Sequence, residues 1–213
     1  MIILHGYWRS TASYRVRIAL NLKAVPYDQV FHDLRTGAQR DAAYKAIAPQ
    51  GLVPALETDQ GVLTQSLAIL EWINERWPEP ALLPVDLHGR AVVRAMAALV
   101  GADIHPLNNL RVLQVLRTTY AASADQIDDW MARWIRDGFE ALESLIAQHG
   151  GEFAYGDQPG LADCLLVPQV YSAERFKVDL AGFPHIRRAT SSAMALPAFA
   201  AAHPSVQPDA DAE

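Results

Sequence analysis

The sequence predicts an α/β domain followed by an all-helical one. Three observations carry that reading. The first eighty or so residues alternate short β-rich runs with helix-periodic ones, a proline-dense segment then breaks the chain, and every periodic run after it is helical. A length of 213 residues suits one large domain or two small ones, at roughly 100–200 residues each.

The elements follow in order. Ile2 to Leu4 is a short β-rich run. Ser13 to Lys23 has helical spacing, with Val16, Ala19, Leu20 and Leu22 apolar and Arg15 and Arg17 between them. Pro26 interrupts, and Tyr27 to Phe31 reads as a second strand. Ala38 to Ile47 reads as a helix, followed by the two-proline loop Pro49-Gln50-Gly51-Leu52-Val53-Pro54. Ala55 to Glu57 and Val62 to Leu63 flank Asp59-Gln60-Gly61 as a hairpin. Ser66 opens a helix through Leu67, Ile69, Leu70, Trp72 and Ile73 that ends near Arg76, which completes a βαβαββα order. Trp77-Pro78-Glu79-Pro80 then stops it, so residues 1–78 form the first domain, 79–87 a linker and 88–213 the helical domain. In the latter, helices are expected over Gly89 to Gly101, Ala124 to His149, Leu161 to Phe176 and Pro184 to Leu196. The tail from Ala201 is expected to be frayed.

Composition excludes several classes. With 51% hydrophobic and 20% charged residues the chain buries a core. Eighteen basic against 24 acidic side chains, a net charge of −6, disfavour a general nucleic-acid surface. The single cysteine, Cys164, rules out an intrachain disulfide or a cysteine zinc cluster, and no metal site is expected. The N-terminus lacks the pattern of a secretory signal, and no uncharged apolar stretch reaches the roughly 20 residues of a membrane span. A cytoplasmic protein is expected.

Three places in the first domain suit chemistry. Tyr7 to Arg17 joins a strand to a helix, where unpaired N–H groups and the positive dipole end favour an anion such as a thiolate. Ser10, Thr11 and Ser13 add hydroxyls there, although any one of them also serves as an ordinary N-cap. No cysteine stands at that place, so a thiol has to arrive on a cofactor. Val53-Pro54, a proline after a loop and before a strand, is a candidate cis pair whose backbone can meet a peptide-like ligand. Gln65-Ser66 opens a helix, with Ser66 as either a cap or a carboxylate donor.

Taken together, these residues resemble the glutathione transferase superfamily over essentially the whole chain. That resemblance implies an N-terminal thioredoxin-like domain and an all-helical C-terminal glutathione-transferase domain. Arg9-Ser10-Thr11-Ala12-Ser13-Tyr14-Arg15-Val16-Arg17-Ile18-Ala19-Leu20 is similar to the zeta-class signature, whose usual form is Ser-Ser-Cys-Ser-Trp-Arg-Val-Arg-Ile-Ala-Leu. Ala12 stands on the cysteine and Tyr14 on the tryptophan. The resemblance implies that Ser10, with Thr11 as the alternative, stabilises glutathione thiolate. It implies that Gln50 and the Val53 backbone hold the cysteinyl part, Gln65 and Ser66 the γ-glutamyl part, and Gln39 the glycyl carboxylate.

The helical domain contributes Asp103-Ile104-His105-Pro106-Leu107-Asn108-Asn109-Leu110-Arg111, which resembles the zeta-class Asp-Ile-His-Pro-Xaa-Asn-Asn segment. It adds His105 and Asn109 to the expected cofactor contacts. Zeta-class relatives that isomerise maleylpyruvate or maleylacetoacetate act on dicarboxylates, and the resemblance places Arg9, Arg111 and Arg175 as substrate ligands. Arginine suits this because its planar fork takes a carboxylate through two parallel hydrogen bonds. Arg9 is also an expected catalytic group, with His105 as its alternative at the developing charge. The implied activity is glutathione-dependent cis–trans isomerisation of a maleyl 2,4-dioxo dicarboxylate in aromatic-acid breakdown, by a homodimer. The alternatives are a zeta-class transferase or dehalogenase of small 2-halo acids, and a non-catalytic thioredoxin-like binding protein. Gly156-Asp157-Gln158-Pro159-Gly160-Leu161-Ala162-Asp163 is similar to the family's capping segment, so Asp163 is expected to serve folding and Cys164 to be buried core.

Overall fold

The computed structural model describes residues 1–211. In chain order its elements are β1 (Ile3–Gly6), α1 (Thr11–Leu22), β2 (Asp28–Phe31), a 3₁₀ turn (Ala38–Arg40), α2 (Ala42–Ile47), β3 (Ala55–Thr58), β4 (Gly61–Thr64) and α3 (Ser66–Arg76). There follow α4 (Leu87–Ala98), a π-helical stretch (Leu99–Ile104), α5 (His105–Leu107), α6 (Leu110–Thr118), α7 (Ala124–His149), α8 (Leu161–Arg175), α9 (Pro184–Met194), α10 (Pro197–Ala200) and a last 3₁₀ turn (Pro204–Val206). The chain divides into two compact units, Met1–Leu82 with the described part of Met194–Glu213, and Leu83–Ala193.

In the first unit the sheet order is β2-β1-β3-β4. β1 runs parallel to β2, with Ile3 opposite Asp28. It is antiparallel to β3, with Leu4 opposite Leu56, and β3 pairs with β4 through Leu56 and Leu63. Leu4 and Leu56 are fully buried, whereas β2 lies at an edge and is mostly exposed. α1 packs against α3 and against α10. The expected helix from Ala38 is two pieces, because Asp41 takes an extended conformation between them and caps α2.

Arg15 and Arg17, which lie between the apolar positions of α1, are each 1% exposed, and α1 is buried from Thr11 to Leu20. The helix is covered on the face where the arginines lie as well. One expectation for this unit is corrected: the tail is not frayed. Phe199 and Ala202 are fully buried. Arg17 Nε donates to the Ala202 carbonyl at 3.0 Å, Asn21 Nδ2 to the Ala198 carbonyl at 3.0 Å, and Gln207 Nε2 to the His203 carbonyl at 2.9 Å. Residues 194–211 therefore join the first unit rather than the helical one.

The boundary at Leu82 falls inside the expected linker, and that linker is tied down. Lys23 Nζ donates to the carbonyls of Pro78 and Pro80, and Asn74 Oδ1 accepts from the Leu82 N–H at 2.8 Å.

The second unit is helical because its apolar residues recur at helical spacing and its helix starts are capped. α7 buries Ile127, Met131, Ile135, Phe139, Leu142 and Ile146. Trp130, Trp134 and Leu145, at helical spacing in the same helix, are half-buried. Ser123 caps α7 reciprocally with Gln126, at 3.2 and 2.9 Å. Gly138 in α7 lets the π-helical stretch approach, since a Cβ there would stand 2.3 Å from Ile104 Cγ1.

Asp163 fills the folding role expected of it. One carboxylate oxygen accepts from the Gly160 N–H at 2.9 Å, the other from the Ala154 N–H at 2.8 Å. Gly160 has no side chain to complete the box. Burial pushes the Asp163 carboxyl up to about 6, against the opposing pull of its backbone hydrogen bonds. Cys164, the single cysteine of the sequence, is buried and in no disulfide. Asp163→Ala leaves two backbone donors unpaired, and its expected cost is roughly 2–5 kcal/mol in urea unfolding.

Candidate active site

The turn between β1 and α1 is the first part of the site. Ser10 is the N-cap of α1, with φ −69° and ψ 115°, and its Oγ accepts from the Ser13 N–H at 3.2 Å. A hydroxyl that accepts in this way keeps its own proton to donate outward. Thr11 and Ser13 are buried, and Ser13 Oγ has no hydrogen-bond partner among the described residues. No acidic residue occupies the first turn of α1, so its positive end is uncompensated. Arg9 lies 4.8 Å over the Trp8 ring, and its Nη2 donates to Tyr7 Oη at 3.5 Å.

The turn is held by its main chain. The Trp8 N–H donates to Asp209 Oδ2 at 2.9 Å, and the Trp8 carbonyl accepts from Arg17 Nη2 at 3.0 Å. Arg35 bridges Asp33 and Asp211, at 2.8 Å in each case, and its guanidinium lies 5.9 Å from the Tyr7 ring. Asp33 is held below the usual carboxylate range by its hydrogen bonds to Arg35.

The second part is the loop before β3. Val53-Pro54 is cis, as the sequence suggested. Tyr44 Oη donates to the Leu52 carbonyl at 2.8 Å, and Tyr44, Ala48 and Ala55 form a small core with Ile47 and Val53. Burial pushes the Tyr44 phenol well up. Gly51 has φ +61°, and a Cβ there would stand 2.9 Å from the Gln39 carbonyl oxygen. Gln39 and the Gln50 loop are thus in contact. Gln39 is buried, and its Oε1 has no partner among the described residues.

The third part is the start of α3. Gln65 adopts φ +69°, a left-handed conformation that costs a non-glycine residue roughly 1–3 kcal/mol. Its Nε2 donates to Gln50 Oε1, so two expected cofactor ligands meet directly. Ser66, the first residue of α3, is buried, and its Oγ accepts from Arg15 Nη1 at 3.1 Å.

In the second unit, His105 is half-buried in α5, directly after the π-helical stretch. Asn109 caps α6, its Oδ1 accepting from the Arg111 N–H at 3.2 Å. That side chain therefore has a folding role beside the expected cofactor contact. Arg111 is exposed on the first turn of α6, and Arg175 is exposed on the last turn of α8, 4.5 Å over the Phe176 ring. Phe176 packs with the small core of Leu113, Ile127 and Met131, so the core joins α6, which carries Arg111, to the end of α8, which carries Arg175.

The sequence reading missed Arg15 and Asp209. Arg15 had a signal, a charged residue between the apolar positions of a helix. Asp209 had none, since 201 residues separate it from Trp8 and the tail carries no motif.

Residues 9–76 match the family described as Glutathione S-transferase, N-terminal domain. Maleylpyruvate isomerase from a Ralstonia species is 51% identical over 208 residues, which cover 97% of this chain and 98% of that one. Among solved structures, the holo form of maleyl pyruvate isomerase, described as a bacterial zeta-class glutathione S-transferase, superposes with a TM-score of 0.96. Its identity is 50%, with 98% of this chain and 100% of that chain covered. Maleylacetoacetate isomerase from Anaeromyxobacter dehalogenans, solved with glutathione bound in its active site, has a TM-score of 0.90 at 45% identity, covering 99% of this chain and 98% of its own.

Asp209→Ala leaves the Trp8 N–H without its acceptor. Amide exchange at Trp8 is expected to accelerate by tenfold or more, about the loss of one charge-assisted hydrogen bond. Asp209→Asn, which keeps an acceptor oxygen, is expected to restore most of the protection.

Proposed function

The chain belongs to the zeta class of the glutathione transferase family, and on that premise we propose that it is a glutathione-dependent cis–trans isomerase of a maleyl 2,4-dioxo dicarboxylate, taking maleylpyruvate or maleylacetoacetate to its fumaryl form in aromatic-acid degradation. The observation that carries the reading is the α1 start. It offers a hydroxyl donor, an uncompensated positive helix end and no cysteine of its own, beside an arginine suited to a carboxylate. Relatives that share about half of this sequence over nearly its full length carry these activities by name.

The residues present fit glutathione. Its γ-glutamyl carboxylate finds N–H groups, Ser66 and a buried cation at the α3 start, with no acidic residue in the first turn of that helix. Gln39, Gln50, Val53 and Gln65 line a connected loop set for the peptide part, and His105 and Asn109 complete the proposed contacts. When bound, glutathione supplies a thiolate that adds to and leaves the conjugated alkene, so that rotation occurs about a single bond. Ser10 donates its hydroxyl proton toward the thiolate, and the α1 dipole favours the charge. Thr11 is the second hydroxyl on the same turn. Arg9 stabilises the negative charge that develops on the substrate's oxo oxygen. Arg111 and Arg175 take the substrate carboxylates and orient the alkene. In this reading, residues 1–78 form the cofactor domain and the helical domain after the 79–87 linker supplies substrate contacts, with the tail packed back on the first unit. We extend the reading to a cytoplasmic homodimer. Among the described residues no helix is long and apolar enough to cross a membrane.

Ultraviolet assay of maleylpyruvate and maleylacetoacetate, with and without glutathione, is expected to show turnover only with glutathione. Conjugation or dehalogenation of a 2-halo acid with no isomerisation overturns the reading. Arg111→Ala is expected to raise KM for the maleyl substrate about tenfold or more with the glutathione Kd unchanged. Ser10→Ala is expected to raise the pKa of the bound thiol by about 1–2 units, read by thiolate absorbance. An unchanged titration moves that role to Thr11.

A further inference from the structure

Among the described residues Arg15 has no counter-ion within salt-bridge distance. Its side chain is 1% exposed, on a helix packed against α3. Nη1 donates to Ser66 Oγ at 3.1 Å, while Nε and Nη2 have no hydrogen-bond partner among the described residues. Leaving a buried guanidinium in this state opposes folding, because desolvation is offset by one neutral hydrogen bond. Burial draws its pKa down to about 9, which still leaves it cationic at neutral pH. The one acceptor it meets is the first residue of α3, whose opening N–H groups are also unpaired and whose first turn holds no acid. Two positive features therefore converge on Ser66, with no acidic residue in the first turn of α3 to offset them.

We infer that Arg15 is a positioning residue for the ligand carboxylate at the α3 start, acting through Ser66 as a buried counter-cation. Ser66 Oγ, by accepting from Arg15, is turned to donate its own proton to the carboxylate, and donation from a cation strengthens that outward bond. The chemistry recognised is an α-amino-acid carboxylate. This rests on the assignment of the γ-glutamyl carboxylate to Ser66 and goes beyond it by naming the buried charge that makes the site selective for an anion.

The test is calorimetric titration of the full-length protein with glutathione and with γ-aminobutyryl-cysteinylglycine, the analogue that lacks only the γ-glutamyl α-carboxylate. The quantity read is the ratio of the two Kd values. Wild type is expected to favour glutathione by about tenfold or more, and Arg15→Met to lose most of that preference while binding the analogue about as well as wild type does. Arg15→Lys, which keeps the charge but not the fork, is expected to retain part of it. It carries the test alone if the Met variant does not fold. Undiminished preference in a folded Arg15→Met, or in Arg15→Lys where that is the only folded variant, overturns the inference and leaves the Ser66 assignment standing. If wild type itself does not distinguish the two ligands, the Ser66 assignment fails and the inference with it.

Discussion

Burial of α1 on every face is the constraint on which the first unit depends. A helix that meets no solvent from Thr11 to Leu20 must satisfy its polar side chains inside the protein. Arg17 does so by reaching two carbonyls, Trp8 before the helix and Ala202 near the chain end. Among the described residues Arg15 reaches only Ser66. Ser10 closes the helix start by capping it. These bonds fix, in turn, the course of the turn after β1, the return of the tail to this unit, and the position of the α3 start. The same contacts that let α1 be buried also place the functional groups.

This arrangement explains how a chain of net charge −6 handles anions. Bulk charge sets the long-range field, whereas recognition depends on charges within a few ångströms in a partly dry setting. Arg9 is braced against Trp8 and Tyr7, and the Trp8 backbone is held at both its N–H and its carbonyl. A turn held in this way presents donors that need little reorganisation when charge develops, which is the property that electrostatic catalysis requires. The second unit follows the same logic through side chains that tie down backbone N–H groups. Asp163 ties the segment before α8 to its first turn, and Asn109 fixes the first turn of α6. Gly138 lets α7 and the π-helical stretch come together. Each sets the place of an arginine-bearing helix or of the His105 segment.

Local patterns were legible in the sequence where the physics is local. Helical spacing located α3, α7 and α8 to within a residue or so, and turn chemistry placed the β3–β4 hairpin. The strand-to-helix turn was legible with Ser10, Thr11 and Ser13 all open as its cap, and the structure gives that place to Ser10. Helical periodicity did not reveal that the arginine-bearing face of α1 is covered, because periodicity reports which residues are apolar and not what packs against the rest. The tail from Ala201 lacked any periodic signal, yet it is anchored, through the Ala202 carbonyl to Arg17 and through Asp209 to the Trp8 N–H.

By itself the sequence determined the βαβαββα order, the helical remainder, the proline break between them and the family whose motifs it carries. These depend on spacing within windows of about ten to twenty residues, where propensity, capping and turn geometry act. Only the tertiary structure decided that Arg15 meets Ser66 across 51 positions, that Asp209 holds Trp8 across 201, and that Gln50 and Gln65 join. Such pairings are set by which buried polar groups find partners once the core has closed, and no local pattern encodes that choice.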